Sequence, residues 1–210
     1  VPNFHIEDFS ILKTSLNEPT GNFFYDPWVI KNEFRGTIWD ELLASLPYPT
    51  GEARIINMLH GTTYMAHADI DDRWHYNLQS QRGYLIDLCN NTMFPLEPDG
   101  FWYEMDAGKI HVAANFGSIE RLQLVVRKLL TPTTQTDLVS ITMSFANEEQ
   151  FNKRYIFDNI ISPWLNRANK ECSIKDFSAS STIIKFKLDK AKLESFKGII
   201  TEDFIVTYEY

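Results

Sequence analysis

Along residues 37–130 the spacing of apolar positions changes from helical to alternating. In TIWDELLASL (37–46), Ile38, Leu42, Leu43 and Leu46 fall at helical spacing. Pro47, Pro49 and Gly51 follow, so the pattern predicts a helix that stops before residue 47. From residue 53 the period drops towards two, which predicts strands. ARIINML (53–59) and TTYMAHAD (62–69) flank Gly61. RWHYNLQ (73–79) sets Arg73, His75, Asn77 and Gln79 on one face and Trp74, Tyr76 and Leu78 on the other. GYLIDLC (83–89) is the next strand, and NNTMFPLEPDG (90–100) reads as a long turn. FWYEMD (101–106) and KIHVAAN (109–115) are joined by a tight turn at Ala107-Gly108, and RLQLVVRKLL (121–130) follows a turn at Gly117. Six or more short strands in under 80 residues predict an antiparallel barrel or a double-sheet jelly roll. Either face of 73–79 fits the interior; a jelly roll enclosing a ligand would line itself with the polar one.

Outside this block the pattern weakens. Residues 1–36, rich in aromatics and Asn/Pro turn signals, are expected to be irregular. The polar break Thr131-Pro132-Thr133-Thr134 leads to an expected division at 1–135 and 136–210. The first part is the β-rich domain with its N-terminal arm and helix; the second is a small α+β region. In the second, DLVSITMSF (137–145), TIIKFKL (182–188) and DFIVTYEY (203–210) read as strands. Residues 147–169 read as helical, interrupted at Pro163, and 189–197 as a short helix. No motif in this region points to chemistry.

Composition narrows the partners. The 210-residue chain is 44% hydrophobic and 14% aromatic, which suits sheets around a sizeable core. A net charge of −8 without a Lys/Arg cluster argues against a nucleic-acid partner. No apolar run approaches the ~20 residues needed to cross a bilayer, so no membrane partner is expected. Cys89 and Cys172 stand far apart in no metal spacing and read as buried free thiols. With no basic-then-apolar leader at residue 1, a cytoplasmic protein is expected.

The candidate chemistry lies in the alternating block. His67 and Asp69, two residues apart, would share one face of a strand. His111 follows 44 residues after His67, and Arg121 ten residues after His111. Two histidines and a carboxylate hold Fe(II) on one face and leave its other positions open. An arginine within reach can anchor a carboxylate-bearing co-substrate by a bidentate pair. His111 and Arg121 flank the turn 115–120, which would set them near each other across antiparallel strands. Arg127 lies on the face of Arg121 and competes for the anchor role. Asp71 and Asp72 rival Asp69 as a ligand, or form a solvated acidic turn. His5 and His60 have no carboxylate two residues away and read as structural.

The runs RIINMLHGTTYMAHADIDDRWHYNLQ and FWYEMDAGKIHVAANFGSIERLQLVV resemble the Fe(II)/2-oxoglutarate-dependent oxygenases. Among these they look most like the aspartyl/asparaginyl β-hydroxylase and proline hydroxylase branch. The shared features are H-x-D, a following R-x-H strand, a W-x-x-x-x-x-G-K-x-H-x-x-x-N hairpin and the arginine ten residues beyond the distal histidine. The resemblance covers about residues 37–130. It implies a mainly β fold with helices, built on a double-stranded β-helix, that is, a cupin-like jelly roll. It implies His67, Asp69 and His111 as iron ligands and Arg121 as the partner of the distal carboxylate of 2-oxoglutarate. Arg73 and His75 would be further co-substrate contacts. The implied reaction uses O2 to hydroxylate an amino acid or an amino-acid side chain of a peptide. Asn77, on the face of Arg73 and His75, is a candidate substrate contact. Trp102 is another, at the substrate mouth, with core packing as its alternative role. Two competing functions fit the same pattern: a non-catalytic jelly-roll module binding a small ligand or a protein, and another cupin-type metalloenzyme with no need of Arg121.

Overall fold

The computed structural model describes residues 15–69, 71–131, 137–145, 157–170, 174–180, 183–200 and 204–210. Strands dominate them, in several antiparallel sheets with few helices. His5, Cys172 and the expected helix over 147–156 lie outside these residues. The chain forms two compact units. The first takes in the chain up to Met65, Asp71–Ala107 and His111–Leu130; the second takes in Ala66–Ile70, Gly108–Ile110 and the chain from Thr131 on.

The first unit opens with β1 (Asn17–Pro19) paired to β2 (Trp28–Ile30). The single helix expected near residue 40 is α1 (Ile38–Ala44). Its Asp40 and Glu41 favour the positive end of the helix dipole. Trp39 and Leu42 are buried, and Ile38 and Leu43 pack partly against the same cluster. Then follow β3 (Thr50–Met58), β4 (Thr62–Thr63), β5 (Arg73–Gln79), β6 (Gly83–Asp87), β7 (Thr92–Pro95), β8 (Trp102–Met105), β9 (His111–Asn115) and β10 (Arg121–Lys128). They build two four-stranded antiparallel sheets, of order β3-β10-β5-β8 and β4-β9-β6-β7.

The sheet containing β10 has two chemically different faces. Leu124 is opposite Tyr76 and Ile55; Val126 is opposite Trp74 and Ala53. These residues form one core with Leu16, Phe34, Trp39, Leu42 and Leu46, so this face packs beneath α1. The other face carries Gln123 opposite Asn77, Val125 opposite His75 and Arg127 opposite Arg73. The polar face of β5 is therefore turned inward, with Asn77 and Gln123 each 2% exposed.

Several local expectations change. Residues 64–69 do not continue β4 as a strand: His67 makes an isolated bridge, and Asp69 lies in the connection after it. β8 and β9 do not form a hairpin: β8 pairs with β5, and β9 pairs with β4 and β6. The expected turn over 90–100 contains β7, and the irregular arm contains β1 and β2. Cys89 is exposed, not buried, in the turn after β6.

The second unit contains β11 (Leu138–Phe145), β12 (Ile174–Ala179), β13 (Ile183–Asp189) and β14 (Phe204–Glu209), in the antiparallel order β12-β13-β11-β14. Two helices accompany them, α2 (Ser162–Lys170) and α3 (Leu193–Lys197). The interruption at Pro163 is a change of winding. A π-helical turn, Phe157–Ile161, gives way to α2 beside a residue with no N–H to donate. Ile141, Met143, Trp164, Phe186, Leu188 and Phe196 share one core. No helix among the described residues is long and apolar enough to cross a membrane.

Candidate metal centre

The connection after β4 brings His67 and Asp69 together: His67 Nε2 lies 3.9 Å from Asp69 Oδ2. The main-chain N–H of Ala68, between them, donates to Asn159 O at 3.1 Å. His111 opens β9 and is 5% exposed. One ligand atom from each of His67, Asp69 and His111 lies within 4.8 Å of the others. Two neutral imidazole nitrogens and a carboxylate oxygen are borderline and hard donors, the set that suits a first-row divalent metal.

The buried polar face of the β10 sheet holds the remaining candidates. His75 is half-buried, and its Nε2, shut off from solvent, has no hydrogen-bond partner among the described residues. Burial pushes its pKa from 6.5 down to about 3, helped by the positive charges of Arg73 and Arg121. The Gln123 side chain acts in the opposite sense, and His111 adds a weaker push downward. His75 is thus a neutral imidazole near neutral pH, within the fields of Arg121 and His111 together.

Arg121 is 3% exposed. Its Nη1 donates to Ala114 O at 3.3 Å and to Tyr84 O at 3.4 Å, in the neighbouring sheet. No carboxylate pairs with it among the described residues. Burial lowers its pKa to about 10, so it keeps its charge near neutral pH. The side chain lies against Gly83, where a Cβ would come within 2.7 Å of Arg121 Cδ. β9 and β10 belong to different sheets, so Arg121 and His111 do not face each other across paired strands as the turn between them suggested. The guanidinium instead crosses from one sheet to the other.

No family model and no curated protein matches this chain. The assignment of roles therefore rests on the geometry and on the sequence motifs.

Arg127, the rival anchor, is occupied. It pairs with Asp71 through Nε and Nη2, its Nη1 is 3.8 Å from Glu52, and its guanidinium lies over the Phe23 ring at 4.4 Å. Asp71 also has Arg73 Nε at 3.5 Å, so its two oxygens face arginines rather than the metal cluster. Asp72 Oδ1 accepts from Ala107 N at 3.2 Å. Asn77 is held internally, donating to Glu97 O at 3.0 Å and accepting from Gln123 Nε2 at 2.5 Å. Trp102 is not brought to the group. It pairs with Tyr76 on the α1 face, with ring centroids 5.2 Å apart, and donates to Ser45 Oγ at 3.0 Å. Strand alternation decides this: Tyr103, one residue on, is the one opposite His75.

Gln123 is the buried polar residue whose importance was easiest to miss. Its position two residues beyond Arg121 was the available signal. The engagement of Asp71 by two arginines had no sequence signal, because the partners are 56 residues apart in one case.

Proposed function

We propose that this chain is an Fe(II)- and 2-oxoglutarate-dependent oxygenase that hydroxylates an amino acid or an amino-acid side chain of a peptide. One observation carries this: His67, Asp69 and His111 gather their ligand atoms, in a protein whose buried Arg121 has no carboxylate partner among the described residues. The strand order supports a double-stranded β-helix beneath the site. Successive strands β3 to β10 are dealt between the two sheets so that β3, β5, β8 and β10 fall in one and β4, β6, β7 and β9 in the other. That order is what a wound hairpin, the cupin-like jelly roll, produces.

In this reading His67, Asp69 and His111 hold the metal on one face. Iron held there would supply, with 2-oxoglutarate and O2, the oxidising power to hydroxylate an unactivated C–H bond, one oxygen atom going to the substrate and the other into the succinate formed with carbon dioxide. Arg121 pairs with the far carboxylate of the keto acid, a charge-assisted contact strengthened by its dry surroundings. Neutral His75 lines the same interior without adding positive charge, and Arg73 lies beside it. Asn77 and Gln123 fix one another and form a rigid polar wall. Val125, opposite His75 on the same face and 2% exposed, adds an apolar member to that wall.

The test is anaerobic addition of Fe(II) and 2-oxoglutarate, read by the visible charge-transfer band of a chelated keto acid. Succinate release is then measured across free amino acids, short peptides and oligonucleotides. A band with amino-acid- or peptide-stimulated succinate supports the proposal. Stimulation by oligonucleotides alone overturns the substrate class. No band and no turnover return the chain to a binding module.

A further inference from the structure

We propose that Phe94 and Tyr103 form an aromatic mouth that selects the peptide substrate. With Glu97 and Asp99 beside Tyr103, this mouth favours a peptide carrying lysine or arginine close to the reacting residue. This rests on the oxygenase reading above, and every residue it uses belongs to the first unit.

Strand register gives the direction of both rings. Phe94 is opposite Leu85, and Leu85 is opposite Ala113, two residues from His111 on β9. Gly83, on the same face of β6, aims its Cβ direction at the stem of Arg121, so that face is turned towards the β10 sheet. From the other side, Tyr103 is opposite His75, on the face that carries Asn77 and Gln123. Both are inward positions, yet Phe94 is 48% exposed and Tyr103 40%. Their inward neighbours Ala113, Gln123 and Val125 are buried. A closed sandwich would cover the two rings; the interior is therefore open between β7 and β8, the edge strands of their sheets. The link between these strands crosses from one sheet to the other. Leu96 N donates to Gly83 O at 2.9 Å, and Glu97 O accepts from Asn77 Nδ2 at 3.0 Å. The two rings thus flank the opening from opposite sheets.

Charge decides what fits between them. Residues 83–108 contain Asp87, Glu97, Asp99, Glu104 and Asp106 and no lysine, arginine or histidine. Glu104 faces the other way, opposite Trp74, and pairs with Lys128. Asp99 accepts from the Tyr103 hydroxyl and from Phe101 N. That hydrogen bond pushes the Tyr103 pKa above its ordinary value, and the charge of Glu97 adds to the effect. Tyr103 therefore keeps its proton near neutral pH and stands in a field of negative charge. An apolar rim alone would fit any apolar segment. The carboxylates choose the occupant: an apolar stem that lies along the rings and ends in a positive charge. Lysine and arginine have that form, and their charge is also drawn to an aromatic face. An acidic peptide would be repelled by the same groups.

The experiment uses the full chain without added iron or 2-oxoglutarate and follows the fluorescence anisotropy of labelled short peptides. These share one sequence around Asn and Pro and differ only in carrying Lys, Gln or Glu at the flanking positions. Wild type is expected to bind the Lys peptide most tightly and the Glu peptide least, with added salt narrowing the spread. Tyr103→Leu and Phe94→Leu are each expected to weaken the Lys peptide about two- to fivefold, while Tyr103→Phe, which keeps the ring, stays closer to wild type. Glu97→Gln combined with Asp99→Asn should bring the Lys and Gln peptides to the same affinity. All four positions are exposed, so the variants are expected to fold. Equal binding of the three peptides, or none by wild type, would overturn the proposal. So would a lysine preference that survives in Tyr103→Leu, Phe94→Leu and the double carboxylate variant, since it would then arise elsewhere. Succinate release is measured separately on the same peptides. A lysine preference without succinate leaves the docking surface standing and refutes the oxygenase; succinate released alike with every peptide keeps the oxygenase and overturns the surface.

Discussion

Replacing Arg121 by methionine is expected to stabilise the ligand-free protein while disabling it. Burial lowers the guanidinium pKa well below its ordinary value, to about 10. At about 1.36 kcal/mol per unit, this lowering amounts to about 3 kcal/mol against holding the charge in the folded state. The sign follows from linkage: the unfolded chain keeps this proton more tightly. The charge therefore opposes folding at every pH below about 10, and the opposition lifts as pH rises above that towards the ordinary arginine value. Methionine keeps an apolar stem in the same space and removes the charge. It also strips Tyr84 O and Ala114 O of a donor, at about 1 kcal/mol or less each for such long bonds. The net gain is about 1–2 kcal/mol, a rise of roughly 2–8 °C in Tm for a chain of this size. The same change removes the charge-assisted partner of 2-oxoglutarate, worth about 1.5–3 kcal/mol, and so weakens its binding about 10–100-fold. Thermal unfolding followed by circular dichroism, with and without 2-oxoglutarate and Mn(II), reads both effects, because a bound ligand raises Tm. A variant less stable than wild type, still stabilised by 2-oxoglutarate to the same extent, would refute the reasoning.

Acid should destabilise the protein through His75. Its folded pKa, about 3, lies below the unfolded 6.5, so the stability it confers is complete above pH 6.5 and falls as pH drops towards 3. By pH 4.5 the loss is about 3 kcal/mol; urea unfolding of His75→Gln should show a flatter pH dependence, and an unchanged one contradicts the assignment. His67→Ala should lose Co(II) binding yet keep its fold within about 1 kcal/mol, because the side chain is one-third exposed; global unfolding by circular dichroism would mark a structural histidine instead. Leu124→Ala, at a fully buried position beneath α1, should cost about 2–5 kcal/mol in urea unfolding, and a loss below about 1 kcal/mol would show that this core is not where the strand register puts it.

The elements that were legible are those with one wet and one dry face. The stripe of α1 and the alternation of β5, β10 and β13 each follow from a face that must be buried. The three-residue strands β1 and β2 carry too few residues for any period to emerge. β7 ends in Pro95, a residue confined to strand edges or ends, and so resembled a turn. β12 buries only Ile174, which leaves its sequence without alternation. Spacing was enough to pick out His67, Asp69 and His111, but not how the structure brings them together. Spacing suggested a strand face and a hairpin, whereas a connection delivers the first pair and a different sheet delivers His111. Trp102 failed for a simpler reason: parity along β8 sends it to the α1 face.

The close fit of Arg121 against Gly83 makes these two positions depend on history. With the arginine present, any side chain at residue 83 would collide with its stem, so the glycine cannot change first. Once Arg121 has shrunk to alanine, that side of the space opens, and Gly83→Ala then requires only that Ser80 Oγ, 2.5 Å from the same point, rotate away. The return path is then shut, because an arginine restored beside the new methyl group has nowhere to lie. A lineage that lost the arginine and then filled the gap would be committed to its loss, a one-way ratchet set by a single carbon atom. A double-mutant cycle should show it as epistasis, with Gly83→Ala more harmful beside Arg121 than in the Arg121→Ala background, where the Ser80 contact alone remains.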